Sequence, residues 1–409
     1  MLFNELYFIT EFKLIFTEAK IMGIAEVTLN TDTQITDETI ATLKQLVRES
    51  GEKPLTRQWH AETSLDSVRH WSWGLGDDNP LWCEPDYGAK TSHGSSLTPP
   101  SFYYSCNQGP NGIRSTPSRG EGLPGLHAIW AWDRWEWPAP VPRNTPVNTT
   151  KQMVEANVRP SKFGGDRCVE LVTRYNFRDD AQKLLASYDV AYMHFGRDMA
   201  ARKGNKGDSV KRQIWSDEAL AKLTADVYEE DHIRRGAKDL VWDEVVIGEE
   251  IGTVVKGPLS VTETIAFTSG WGGPFLMASE IAHRYIRDHP RANAPDREMR
   301  IPDFPQRAHW DAGWAQECGF PDAYDYGGQR FGWMMHGVTD WMGDNAHLWK
   351  FDGKLLGLNI IGDASWCSGT VKNKYITDDG KRCIELELKM INQRDELTTV
   401  ATAVVIAPR

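Results

Sequence analysis

The chain has 409 residues, enough for two or three domains that each bury a core of their own. With 40% hydrophobic and 25% charged residues it reads as an ordinary globular protein, and no apolar run reaches the ~18 to 20 residues of a membrane span. A net charge of -11 does not supply the basic surface that phosphate backbones need, so neither membrane nor nucleic acid is an expected partner.

Residues 1 to 21 are apolar but broken by Glu5, Glu11, Lys13, Glu18 and Lys20, with no small-residue cleavage site. No signal peptide is therefore expected, and Met22 is a candidate start. Thr36 before Asp37 and Glu38, then Ile40, Leu43 and Val47 at helical spacing before Gly51, predicts a capped amphipathic helix. A second helix is expected from Ser64 through Val68 and Trp71 to the turn Gly76-Asp77-Asp78-Asn79-Pro80. After Thr98-Pro99-Pro100 an apolar segment begins at Phe102, and from Leu126 to Tyr192 the apolar residues alternate as in strands. The basic, Gly-containing stretch 198–213 is the best linker candidate, followed by a short helix from Ser216 to about Tyr228.

The second half repeats this order. Val261 to Phe267 reads as the helix start and Gly270 to Gly273 as its turn, followed by an insertion of roughly 30 residues that carries the helical SEIAHRYIRDH. Beyond His309 come a helix-like DAGWAQECGF, a Gly-rich turn YDYGGQR, an apolar helix WMMHGVTDWMG and strands from Leu355 to Val405. The stretch GDRCVEL (Gly165–Leu171) returns as GKRCIEL (Gly380–Leu386), and each copy soon reaches an Asn and a basic-acidic cluster, Asn176 with Arg178, Asp179 and Asp180, then Asn392 with Arg394, Asp395 and Glu396. The second copy holds one extra residue, as a β-bulge would insert. The six cysteines include no CxxC pair, and Cys168 and Cys383 occupy equivalent places in the repeat, pointing into a core. They read as reduced thiols in a cytoplasmic protein.

The segment GDDNPLWCEPDYG, from Gly76 to Gly88, resembles the hydratase motif of the MaoC-like and (R)-specific enoyl-CoA hydratase family. The second half has a partial match in AHWDAGWAQECGFP, followed by YDYGGQR, GDASWCSG and NQRDELT. The resemblance covers about residues 60 to 409 and implies a tandem MaoC-like acyl dehydratase whose first domain is of the fungal-fatty-acid-synthase-like type. The implied fold is α+β, a double hot-dog of two antiparallel sheets, each wrapped around a central helix. The expected boundaries are an extension and lead-in helix over 1–54, a first hot-dog domain over 55–197, a linker over 198–235 and a second hot-dog domain over 236–409.

The resemblance also implies a site. The family pairs an Asp with a His five positions later to hold a water and move protons at Cα and Cβ of a thioester. Asp77 matches that Asp, but Trp82 stands in the His slot; His309 matches the His and Asp311 the acid after it, but Phe304 stands in the Asp slot beside Asp303. His309 is the motif-matched group that titrates near neutrality, so it is the candidate general acid/base, with Asp311 or Asp303 orienting it or sharing the proton work. Its other reading is a hydrogen-bonded histidine in a helix lead-in, and Asp77 reads equally as a turn former before Asn-Pro. Gly327 or Gly328, in the stretch matching the family's His-Gly-Met turn, would offer a backbone N–H to the enolate oxygen, with Asp325 in the His slot. A plain glycine turn is the alternative.

The expected function is a hydro-lyase acting on an acyl-CoA or related thioester, with no metal or redox cofactor and a homodimer of the fused unit as the assembly. Arg330 and the basic linker are candidates for the CoA phosphates. Trp130, Trp132, Trp135 and Trp137, on one expected strand face, would wall a pocket for a bulky or aromatic acyl group; core packing or an inter-domain seam is the other reading. Rival functions are thioester hydrolysis, a lyase reaction on a non-thioester aromatic substrate, or thioester binding without turnover. Gly120, Gly122 and Gly125 satisfy G-x-G-x-x-G but lack the strand before and the helix after. There is no Walker loop and no G-x-S-x-G elbow, and His283 and His289, six apart, do not share a helix face as metal ligands would.

Overall fold

The structure is a computed structural model that describes residues 35–55, 57–109, 126–161, 165–196 and 210–408. Residues 1–34, most of the basic linker and the three glycines of the G-x-G-x-x-G match lie outside the described residues. Ten strands form one antiparallel sheet: β1 (Lys53–Pro54), β2 (Leu126–Glu136), β3 (Asn148–Ser161), β4 (Gly165–Arg178), β5 (Leu184–Gly196), β6 (Glu250–Lys256), β7 (His347–Leu355), β8 (Ser365–Ile376), β9 (Arg382–Asn392) and β10 (Leu397–Ile406). Their order, β1-β3-β4-β5-β2-β7-β10-β9-β8-β6, is a mirror sequence: each half runs edge, three meander strands, then the strand that meets the other half. The repeat lies at the middle of each meander, on β4 and β9, and Cys168 and Cys383 are both fully buried there.

No bulge interrupts β9 itself. The irregularities fall on its neighbours and on the equivalent neighbours of β4: β3 slips between Met153 and Glu155, and β8 between Val371 and Asn373. The bulges that bend the sheet are thus shared by both halves rather than special to the second copy.

The helices follow the capping chemistry of the sequence. Thr36 caps α1 (Asp37–Glu49), Ser64 caps α2 (Leu65–Leu75), and Asn79 caps the short α3 (Pro80–Cys83). Ser216 caps α4 (Asp217–Tyr228), which leads into the single-turn α5 (Glu230–Ile233). In the second half Ser260 and Glu263 form a capping box on α6 (Val261–Trp271), and α7 (Ser279–Asp288) is the helix of the insertion. Asp311 caps α8 (Ala312–Glu317). The expected turn YDYGGQR is instead the start of the central helix: α9 runs Gly327–Met342, all sixteen residues buried. None of the helices among the described residues is long and apolar enough to cross a membrane.

Two half-sheets, joined edge to edge, with α9 packed on all five strands of the second half, make a double hot-dog. The halves differ in what fills them. Where the second holds α9, the first holds a buried seven-residue 3₁₀ helix, Pro100–Cys106, and packs it with rings. Tyr103 lies 5.1 Å from Phe177, Tyr104 4.9 Å from Trp135 and 5.4 Å from Tyr188, and Trp135 stacks on Tyr188 at 3.9 Å and on Trp137 at 5.3 Å. Aromatic bulk replaces helix volume.

Trp130, Trp132 and Trp135 of β2 and Trp137 just after it do not share one face. The strand bulges between Trp130 and Trp132, so Ala131 is extra and the alternation shifts by one. Trp135 and Trp137 turn into the core with Asp133, whereas Trp132 lies on the opposite face against Glu170, with the Arg134 guanidinium over its ring.

Candidate active site

The two halves meet where β2 pairs with β7, from Trp132 opposite Lys354 to Glu136 opposite Lys350. Beyond that pairing the first part of β2 and the segment Leu355–Leu358 part, and a cavity of about 900 Å³ opens beside them. Its lining includes Trp130, Tyr192, Trp271, Phe275, Tyr324 and Tyr326, with His309 and Asp325 among them and Gly327 at the start of α9. Its wall is mostly apolar and rich in rings, with charged side chains such as Arg134, Glu170, Asp352 and Lys354 among them.

His309 ends the 3₁₀ turn Pro305–His309, and its imidazole stacks on Tyr326 at 3.7 Å and packs against Tyr324 at 4.4 Å. Nδ1 is 2.8 Å from the Tyr324 carbonyl, which fixes the proton on Nδ1 and leaves Nε2 as the lone pair the ring can offer. Burial among these rings pulls the imidazole down to about 4, so at neutral pH it is uncharged. His309, the histidine the sequence singled out, thus lies on the cavity wall, with a different tuning from the near-neutral value of an ordinary histidine.

The carboxylates expected beside it are elsewhere. Asp311 accepts the Trp314 amide as the cap of α8 and lies 3.6 Å from Arg307; Asp303 accepts the Phe304 amide and lies 4.0 Å from the same guanidinium. Both are used up by local capping and by Arg307, which is why neither orients His309. Among the described residues no ion pair joins His309 to any carboxylate.

Arg330 is not available to a phosphate. It is 2% exposed and grips Asp325 with two bonds of 2.7 Å, while Asn359 adds a third at 3.2 Å. A buried guanidinium needs such a partner. Burial lifts the Asp325 carboxyl to about 6 against the pull of Arg330. This pair, joining the residue before α9 to its first turn, fixes the Tyr324-to-Gly327 corner that carries both His309's carbonyl partner and the helix start.

Gly327 and Gly328 do occupy the first turn of α9, where amides have no intrahelical partner. The Trp130 indole lies directly on them: a Cβ on Gly327 would come within 2.6 Å of Cγ of that ring and one on Gly328 within 2.9 Å of its edge. Glycine here answers to close approach, and Gly327 is the one that reaches the cavity wall. Trp130 is held by Asp133, which accepts its Nε1–H at 2.6 Å, the Tyr188 hydroxyl at 3.0 Å and the Tyr104 hydroxyl. Asp133 is wholly buried, and burial raises its carboxyl to about 7 despite these donors. Sequence reasoning passed over it because an acid within a tryptophan-rich strand carries no motif.

Asp77 sits apart from the cavity. Its Oδ1 accepts the Asn79 amide at 3.1 Å, so the turn-forming reading holds, and it also lies 3.5 Å from Nε2 of His336 on α9. Glu230 and Asp340 come within 3.2 and 3.3 Å of the same nitrogen. Burial would lower the His336 imidazole, but Asp77 and Asp340 outweigh it and raise it to about 10, with Lys256 opposing them. The sequence signal was the spacing His336-x-x-x-Asp340, one helical turn apart on an apolar helix.

The fold is a double hot-dog, and among the described residues a ring-lined cavity lies at the seam of its halves. No family model matches the chain, and no curated protein matches it in sequence. Among solved structures it is similar to a MaoC-like dehydratase at 14% identity over 90% of this chain and all of that one, TM-score 0.59. It is also similar to a putative MaoC domain protein dehydratase from Chloroflexus aurantiacus J-10-fl, at 10% identity over 88% of this chain and 94% of that one, TM-score 0.52. The fold is therefore that of the MaoC-like dehydratases.

Proposed function

We propose that the protein is a hydro-lyase that adds or removes water across an acyl thioester with a bulky or aromatic acyl group. The observation that carries this reading is the uncharged His309 on the wall of an aromatic cavity of about 900 Å³, next to the first turn of α9. Both structures compared are named dehydratases, which accords with it.

In the dehydration direction Nε2 of His309 takes the proton from Cα of a 3-hydroxyacyl thioester. The electron pair passes into the enolate, whose oxygen faces the unpaired amides at the start of α9 and the positive end of its dipole. The same proton then goes to the leaving β-hydroxyl, which departs as water as the double bond forms. One imidazole serves both transfers, and the reverse path adds water. The indole of Trp130, pinned by Asp133, bounds the carbonyl site. Lys354, on the cavity lining and without an ion pair among the described residues, takes the role of phosphate contact that Arg330 cannot fill.

A panel of enoyl-CoA esters, followed by loss of absorbance of the conjugated thioester, tests this. Turnover favouring aryl-substituted or long acyl groups is expected, and its loss in His309→Ala. A second reading, thioester binding without turnover, is favoured by the lack, among the described residues, of an ion pair between His309 and a carboxylate. Saturable binding of the panel with no absorbance change and no free thiol released would establish it; thiol release would show hydrolysis instead.

A further inference from the structure

A second constellation lies away from the cavity, where the first half, the linker helix and α9 meet. Nε2 of His336 faces oxygens of Glu230, Asp340 and Asp77 at 3.2, 3.3 and 3.5 Å. None of these contacts has hydrogen-bond geometry: both ring nitrogens of His336 and Oδ2 of Asp340 are buried with no hydrogen-bond partner. Buried polar atoms in that state call for a ligand.

Outer partners hold these carboxylates in place, for Asp77 and Glu230 partly through the same oxygens that face Nε2. Asp340 gives Oδ1 to the Arg234 Nε at 3.0 Å, and Glu230 gives Oε2 to the Lys256 ammonium at 3.1 Å. Asp77 Oδ1 takes the Asn79 amide, and the second guanidinium nitrogen of Arg234 reaches Glu230 Oε1 at 3.1 Å. Carboxylates held by outer partners and directed at one imidazole nitrogen are the usual surroundings of a metal ion.

Distances and charge agree. Ligands ~2.0 to 2.1 Å from a tetrahedral ion lie about 3.3 Å from one another, the spacing from Nε2 to the Glu230 and Asp340 oxygens, and the ligand atoms of these three residues lie within 4.8 Å of one another. A proton shared between nitrogen and oxygen would instead draw one pair to about 2.8 Å and align it. Asp77, Glu230 and Asp340, with Asp78 held by Arg234 at 2.8 Å, set four carboxylates against the two permanent cations Lys256 and Arg234. A dication with neutral His336 brings the group to neutrality, whereas a proton leaves it one charge negative.

From this we infer that Glu230, His336 and Asp340, with Asp77 beside them, form a binding site for a divalent ion of the zinc or manganese class. One nitrogen and several carboxylate oxygens suit that class. The ion ties the turn after α2 and the linker helix α5 to α9. It is structural, because none of these four residues lines the cavity.

The test uses the full, untagged chain, stripped with chelator and titrated with Zn²⁺ and Mn²⁺ by calorimetry, with metal content measured after dialysis. One ion per chain is expected, together with a higher Tm on loading. Asp340→Asn and Glu230→Gln, isosteric changes checked by circular dichroism, should each weaken binding more than ~10-fold. His283→Ala, in the inserted helix, should bind as wild type. Absence of a bound ion, or binding unchanged in both cluster variants, would overturn the site and leave a buried ion network around a protonated His336.

Discussion

Two histidines of the second half show how one side chain acquires opposite properties. His309 faces rings and a carbonyl, is held down to about 4 and borders a cavity of about 900 Å³. His336, on the central helix, faces three carboxylates, is raised to about 10 and borders none of that space. Burial penalises charge on both, so the neighbours decide the outcome: rings leave the penalty standing, and carboxylates overturn it. A neutral imidazole beside open space suits proton transfer; a cation-seeking one in a packed seam suits holding the halves together.

Exchanging the losses should separate those roles. His309→Ala is expected to lower turnover of the best thioester by about 10² to 10⁴ while leaving most of the Tm in place. His336→Ala is expected to cost about 3 to 5 kcal/mol of stability, because it strands carboxylates that keep their burial. Urea unfolding followed by tryptophan fluorescence, with the enoyl-CoA assay run on the same samples, measures both. Equal stability losses, or activity surviving in His309→Ala, would break the contrast.

The pH dependence sharpens it. If Nε2 of His309 is the base, the acid limb of kcat/KM lies at about 4, well below the ordinary histidine value. Stability carries the same mark. The folded imidazole refuses a proton that the unfolded chain accepts below ~6.5, so this contribution is whole above that pH and fades as pH falls through about 4. His60 and His347, also lowered to about 4 by burial, and His194, lowered by burial too, act in the same sense, so His309→Gln should reduce the acid slope of ΔG without abolishing it.

What the sequence disclosed follows the same division between local and assembled information. Helix caps at Thr36, Ser64 and Ser216, the duplicated strand and the place of His309 were legible because each rests on neighbours in the chain. The Ala131 bulge was hidden because nothing in the residue types distinguishes it, and it brings Trp130 to the face of Trp135 and Trp137; Trp132 lies opposite because it is three residues from Trp135. Asp303 and Asp311 matched or flanked motif positions, yet the competing local chemistry of caps and of Arg307 claimed them. The Asp325–Arg330 pair and the group around His336 needed α9 to be buried all round, a fact visible only once both halves close on it.

The mildest expected effects lie at the cavity's rim and corner. Gly327→Ala places a methyl against the Trp130 ring, displaces the indole and should lower kcat about tenfold, given that misplacement by ~1 Å can cost more. Lys354→Ala removes a cation from the lining without touching His309 or α9's first turn. If it meets a CoA phosphate through solvent, its contribution is that of an exposed pair, ~0.2 to 1 kcal/mol, or at most about fivefold in KM. The effect should shrink further in high salt and vanish for an acyl-pantetheine that lacks the nucleotide phosphates. A KM for the pantetheine ester that rises as much as that for the CoA ester would mean that Lys354 acts on the acyl end, and that the phosphates are bound elsewhere on the seam.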